Sequence, residues 1–277
     1  RLGFNDAPQA GAVSAGEVLS RVVAGTDVMA WTTPVATGGT EQVFQVFSGA
    51  VPFGLQPIDH VRWLRADGAR LMEEAYARQG YRLRAIPCGV AGGPGGWFRR
   101  EVRSPRDFRG LKVRAPRLMA KALAGLGAQI VNEAQTSKVP AMMAARSLDA
   151  SLWYAASEEL FLKAPRAATV YHFPGVHAPT LTFVLLVGEQ TWLAMSGVQR
   201  QLFDEACRRH ISASAVKANS RQNDILNRIR SQRIIVRPFT LPVRESLQQK
   251  VSEILSAESA GNEQFRETLG SYNRFRK

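Results

Sequence analysis

Two cysteines and four histidines in 277 residues leave little material for metal, redox or histidine-based chemistry. Cys88 and Cys207 lie far apart and match no metal-ligand or redox spacing. The sequence reads them as two buried free thiols, with a disulfide still open to them in an oxidising compartment. No H-E-x-x-H, G-x-S-x-G or G-x-x-x-x-G-K-S/T run is present, which removes the common hydrolase and nucleotide-binding signatures. Gly92-Gly93-Pro94-Gly95-Gly96 is glycine-rich, but it holds a proline and lacks a following lysine and hydroxyl, so it reads as a crossing loop. No apolar run is long enough to cross a bilayer, and the longest, Leu181 to Val187, is strand-sized. No catalytic residue, cofactor or metal site is expected.

Acidic residues are scarce relative to basic ones. Asp and Glu total 23 against 36 Lys and Arg, a formal net charge of +13. Such a balance raises nucleic acid as a partner. The basic residues are scattered, however, without a run of five and without interleaved aromatics. The charge therefore reads as a solvated surface that attracts anions, and no nucleic-acid partner is expected. A hydrophobic content of 45% and a charged content of 21% are ordinary for a globular chain. The length allows one large domain or two small ones with a substantial core.

What is present is an α/β rhythm. Glu17 to Ala24 reads as a helix ended by Gly25, followed by a strand at Val28 to Trp31. Pro57 to Gln79 carries the apolar spacing of an amphipathic helix, and Tyr81 to Ile86 reads as a strand. Leu118 to Leu126 is a helix capped by Gly127, with a strand resuming at Gln129 to Val131. Leu181 to Val187 is continuously apolar, as in a strand covered on both faces. Val198 to Arg230 reads as one long helix and Ile234 to Val236 as a strand. The alternation implies mainly parallel sheets.

The run Asp107-Phe108-Arg109-Gly110-Leu111-Lys112-Val113-Arg114-Ala115-Pro116 places an arginine at the end of a short strand before a helix. A guanidinium there holds both oxygens of a carboxylate and does not lose its proton. The run resembles the D-x-x-G-L-K-x-R segment of the solute-binding proteins of tripartite ATP-independent periplasmic (TRAP) transporters, the DctP family, in which the arginine clamps a transported acid. Further words follow in order. Ser14-Ala15-Gly16-Glu17-Val18-Leu19 resembles the early G-A-G-E segment. Ala50-Val51-Pro52-Phe53-Gly54-Leu55, Gly95-Gly96-Trp97-Phe98-Arg99-Arg100-Glu101 and Leu148-Asp149-Ala150-Ser151-Leu152-Trp153 resemble segments of the branch that binds 2-oxo acids and related monocarboxylates.

The resemblance implies a type II-like periplasmic binding-protein fold: two α/β domains with a ligand cleft and a hinge. Domain I is expected at 1–91 with 180–219, and domain II at 92–179 with 220–277. Against the family the chain lacks a first strand and helix, and it opens at Arg1 without a leader. The implied function is to capture an organic monocarboxylate in the periplasm and deliver it to membrane permease subunits. A ligand-sensing protein that feeds a receptor is the alternative, and a basic nucleic-acid binder a third. Expected ligand-binding residues are Arg114, Trp153, Trp31, Thr32 and Phe173, with Arg99 supplementing Arg114. The positions at which relatives hold a cation correspond to Gly93 and Leu152, neither of which offers a side-chain oxygen, so binding without metal is expected. The chain stops soon after the segment that begins an extended dimerising helix in relatives, so a monomer is expected.

Overall fold

The computed structural model describes residues 15–133, 136–152 and 168–276. Among these residues the strands are β1 (Ala30–Thr32), β2 (Leu83–Gly92), β3 (Gly96–Phe98), β4 (Lys112–Arg114), β5 (Gln129–Ile130), β6 (Ala150–Leu152), β7 (Val170–His172), β8 (Thr180–Gly188) and β9 (Ile235–Arg237). They form two sheets. The first has the order β1-β8-β2 and the second β5-β4-β6-β3-β7-β9.

The expectation of mainly parallel sheets is corrected. In the first sheet every described pairing is antiparallel. In the second, β4 pairs in parallel with β5 and β6, and β7 with β9, whereas β3 is antiparallel to both its neighbours. The cause lies in the segment after Ile86, where the sequence reading ended the strand. β2 runs on through Pro87 to Gly92, paired with β8 from Leu83↔Gly188 to Gly92↔Thr180. The chain thus leaves the first sheet along one strand of a long antiparallel ribbon and returns along the other. β3 enters the second sheet straight from that ribbon, without a helix to reverse its direction.

Each sheet organises its own packing. Leu19, Val22, Phe44, Phe47, Trp63, Tyr76 and Leu186 form the first core, which the C-terminal helix Glu263–Asn273 joins through Phe265, Leu269 and Tyr272. Phe98, Val113, Leu152 and Leu247 cover one face of the second sheet. Trp97, Met143, Tyr171, Leu226 and Ile229 cover the other. One long helix, Gly197–Arg230, serves both sheets. It starts at a reciprocal cap in which Gln199 N–H donates to Ser196 Oγ at 3.2 Å and Ser196 N–H to Gln199 Oε1 at 2.8 Å. At 1.5 Å per residue it is about 50 Å long. Ile211 and Ala215 therefore reach the first core while Leu226 and Ile229 reach the face of the second sheet.

The reading of free thiols is also corrected: Cys88 and Cys207 form a disulfide that ties β2 to the long helix. The register of β2 shifts between Pro87 and Gly89, so Cys88 turns towards Ile86, Trp192 and Cys207. The partners are 119 positions apart, so no local spacing announces the pairing.

His60 sets an acid limit on the first core. It is fully buried, with Nε2 at 2.9 Å from Thr182 Oγ1 and 3.2 Å from the Phe47 carbonyl. Burial lowers its pKa from 6.5 to about 4. Below pH 6.5 the unfolded chain takes up a proton that the folded chain refuses, so stability falls from pH 6.5 down to about 4 and then levels. Two pH units of that window correspond to roughly 2.5 kcal/mol. His172, whose pKa burial also lowers, acts in the same direction. Urea unfolding at pH 7.5 and 4.5 should show this loss, and His60→Gln should reduce it. An unchanged pH slope in His60→Gln would exclude His60 as the cause.

Candidate functional site

Most residues of the Asp107–Pro116 run help to place Arg114. Asp107 caps the start of the short 3-10 turn Pro105–Phe108, where its Oδ2 accepts from the N–H groups of Arg103 and Ser104, both at 2.8 Å. Those bonds hold its carboxyl below the usual range. Gly110 has φ +71, in the left-handed region that favours glycine. Leu111 and Val113 enter the second core, and Lys112 faces solvent. Asp149 clamps the start of β4, accepting from Lys112 N–H at 3.0 Å and donating its own N–H to the Lys112 carbonyl at 2.8 Å. Pro116 then N-caps the helix Arg117–Gly125.

Arg114 is therefore carried to the C-terminal end of β4, half-buried, beside Ser151 of β6. Its Nε donates to the Glu133 carbonyl at 2.8 Å, which fixes the plane of the guanidinium. Gln45 comes close from the first sheet's side. It is fully buried, and its Oε1 accepts the N–H of Leu118 at 3.2 Å, in the first turn of the helix after Arg114. Sequence reasoning missed Gln45. The only signal for it was a lone amide within the apolar helix Val43–Phe47.

Trp31 and Thr32 belong to the first sheet. Trp31 is 51% exposed on β1 and stacks on Phe183 at 5.8 Å, with His210 edge-on at 6.0 Å. These rings, with Gly89–Gly92, Arg221, Gln222 and Ile225, line a cavity of about 310 Å³ between β2 and the long helix. Thr32 pairs with Val184 in the same sheet. Phe173 follows β7 and stacks on Tyr171 at 6.2 Å, on the face of the second sheet that also carries Trp97. Arg99 is placed at the end of the sheet opposite Arg114. Its N–H donates to the Asp149 carbonyl at 3.0 Å, and its guanidinium pairs with the Asp149 carboxylate at 3.6 Å. β3 is antiparallel to β6, which is why Arg99 sits beside the strand start and Arg114 beside the strand end. Trp153 lies outside the described residues.

The residues at the two suspected cation positions do not fit such an ion. A Cβ on Gly93 would sit 2.0 Å from the Ala178 carbonyl oxygen, so no side chain has room there. Leu152 is 2% exposed and packed in the second core. Among the described residues no group of three His, Cys, Asp or Glu side chains is placed to hold a metal, and no helix is long and apolar enough to cross a membrane.

Comparison with known proteins agrees with this architecture. The chain is 25% identical over 275 residues to a monocarboxylate 2-oxoacid-binding periplasmic protein of Nostoc, an alignment that covers 94% of this chain and 71% of the relative. A TRAP transporter solute-binding protein from Bordetella bronchiseptica, solved with calcium and picolinate, superposes with a TM-score of 0.83 at 20% identity, covering 95% and 77% of the two chains. A TRAP periplasmic solute-binding protein from Pseudoalteromonas atlantica, solved with sodium and pyruvate, gives 0.82 at 22% identity, covering 94% and 79%. The family model of bacterial extracellular solute-binding proteins, family 7 (DctP), matches residues 6–261. With nearly its whole length accounted for by that model, the chain belongs to family 7 of the bacterial extracellular solute-binding proteins.

Proposed function

We propose that this protein is the periplasmic receptor of a TRAP-type transporter, that it captures an organic monocarboxylate between two lobes, and that it delivers the acid to membrane permease subunits. The observation that carries the carboxylate is Arg114, half-buried at a strand end with its guanidinium plane set by the Glu133 carbonyl. A pre-oriented fork recognises a planar pair of oxygens better than a mobile point charge does. The lobes correspond to residues up to 91 with 180–219, and 92–179 with most of the remaining chain. The C-terminal helix packs back on the first core. Besides the step from the helix Leu241–Gly261 into the C-terminal helix, three connections join the lobes: the ribbon at Gly92–Gly93, its return at Pro179, and the long helix. They are bonded to one another where they meet. Gly93 N–H donates to the Pro179 carbonyl at 2.8 Å, and the Gln222 amide donates to the Gly93 carbonyl. A few such element-terminal residues are the usual seat of hinge closure.

The reading is tested by a thermal-shift screen of C2–C8 monocarboxylates, 2-oxo acids and 2-hydroxy acids, since a ligand held only by the folded state raises the melting temperature. At least one acid should stabilise the protein. Because neither Gly93 nor Leu152 offers a side-chain oxygen, its affinity by calorimetry should change less than threefold after chelation or replacement of sodium. A screen in which no acid stabilises the protein would overturn the proposal. A tenfold loss on removing an ion would overturn the metal-free part alone.

A further inference from the structure

Strand register collects basic residues along one rim of the second sheet. Lys112 starts β4 beside Asp149, which precedes β6. Arg99 follows β3 and donates its N–H to the Asp149 carbonyl at 3.0 Å, while Thr169, just before β7, donates its hydroxyl to the Arg99 carbonyl at 2.8 Å. Ile235 of β9 donates its N–H to the Thr169 carbonyl at 3.1 Å, which brings Arg233 to the same rim. Arg100 lies one residue beyond Arg99, and the turns that feed β4 and β6 add Arg109 and Arg146. Arg100, Arg109, Lys112, Arg146 and Arg233 are all exposed. Six strands at about 4.8 Å spacing make the rim about 24 Å wide. The carboxylates described near it are engaged: Asp149 pairs with Arg99, Asp107 accepts from the Arg103 and Ser104 N–H groups, and Glu101 pairs with Arg103 and Arg237.

Backbone geometry adds an independent observation. Among the described residues three other than glycine have positive φ, and two of them are Arg146 and Arg233, each at φ 61. A side chain in that region costs stability that glycine does not. Neighbouring turns on the same rim do use glycine, at Gly110 with φ 71 and Gly127 with φ 91. Arginine held at two strained turns of one rim points to a use for its charge.

We infer that this rim is a docking surface for a membrane that bears anionic phospholipid. The charges stand on separate strand ends rather than converging on one point. That spread suits many phosphates in a plane, whereas one small anion needs donors that converge on it. Arginine's planar fork binds phosphate in a two-pronged way, and four of the five exposed residues are arginines. The contact is electrostatic, so it weakens as salt is added. It puts part of the net charge of +13 to use, and it does not depend on which acid Arg114 holds at the other end of β4.

The test is sedimentation with phosphatidylcholine vesicles, either neutral or containing about one-third phosphatidylglycerol, at about 0.05 M and about 0.5 M sodium chloride. Wild type should bind the anionic vesicles at least tenfold more tightly than the neutral ones at the lower salt, and lose that preference at the higher. Arg146→Gly/Arg233→Gly should bind at least fivefold more weakly while its melting temperature does not fall, since glycine relaxes both turns. Arg109→Gln/Lys112→Gln, towards the other end of the rim, should weaken binding similarly. Arg70→Gln/Arg266→Gln removes the same number of charges from exposed positions on the first lobe and should stay within twofold of wild type. Equal binding of wild type to the two kinds of vesicle would overturn the inference, as would undiminished binding by either rim variant. An equal loss in the first-lobe variant would assign the attraction to net charge and not to the rim, and would overturn it too. So would an Arg146→Gly/Arg233→Gly protein that melts lower, because its arginines would then be structural.

Discussion

Removing the Cys88–Cys207 bridge should cost more stability than any other single change to this chain. Closing a loop of 119 residues restricts the unfolded ensemble by about 5 kcal/mol in the chain-entropy model, and removal of native disulfides typically costs about 2–5 kcal/mol. The bridge also has a local function. It fastens the long helix to β2 next to Gly89–Gly92, the stretch that lines the Trp31 cavity and leads to the crossing. His210 reinforces the same contact, with Nδ1 at 2.6 Å from the Cys88 carbonyl. Calorimetry with and without a phosphine reductant, and on the Cys88→Ala/Cys207→Ala double variant, should show melting lowered by roughly 5–15 °C, at about 2–4 °C per kcal/mol for a chain of this size. The reduced protein and the double variant should agree. Melting unchanged by reduction, with free thiols confirmed by titration, would mean that packing alone holds the helix on β2.

Much of the fold was legible because its elements are strongly periodic. The helices at Ala15–Val23 and Arg117–Gly125 and the strand Thr180–Gly188 fall within a few residues of where apolar spacing and glycine caps put them. What the sequence hid was relational. The antiparallel ribbon was hidden because Pro87 and five glycines over 89–96 are breakers in isolation, and only pairing with β8 holds them extended. The π-turn at Leu64–Gly68 was hidden inside a helix whose outer bounds were correctly placed. The disulfide was hidden by distance along the chain.

The position of Arg114 was legible, and the grouping around it was not. A turn, a three-residue strand and a proline fix where Arg114 ends up, while the resemblance to the family is what singled it out. Trp31 could not be assigned a position relative to it, since nothing local relates β1 to β4, and the two occupy different sheets. The place of Arg99 was hidden by strand direction. It lies two residues beyond Trp97 in sequence, but an antiparallel strand carries it away from the end where Arg114 sits, into the pair with Asp149.

Replacing Arg114 should therefore have the largest effect on binding. A hydrogen bond to a charged group contributes about 1.5–3 kcal/mol, so Arg114→Ala should weaken the best acid found in the screen by at least tenfold. Two effects need separating. Loss of the Nε bond to the Glu133 carbonyl destabilises the ligand-free loop by about 1 kcal/mol, the usual net value of a neutral hydrogen bond. Loss of the fork removes the charge and the two-pronged geometry. Arg114→Lys divides them, because lysine keeps the charge but presents a point donor without the planar pair. It should bind between wild type and Arg114→Ala, with an affinity that falls more steeply as salt is added, since a single loosely held charge is more readily screened. Titration calorimetry at low and physiological ionic strength measures both quantities. Arg114→Ala with wild-type affinity, in a protein whose ligand-free melting is within a few degrees of normal, would remove Arg114 from the site and leave the carboxylate without its anchor.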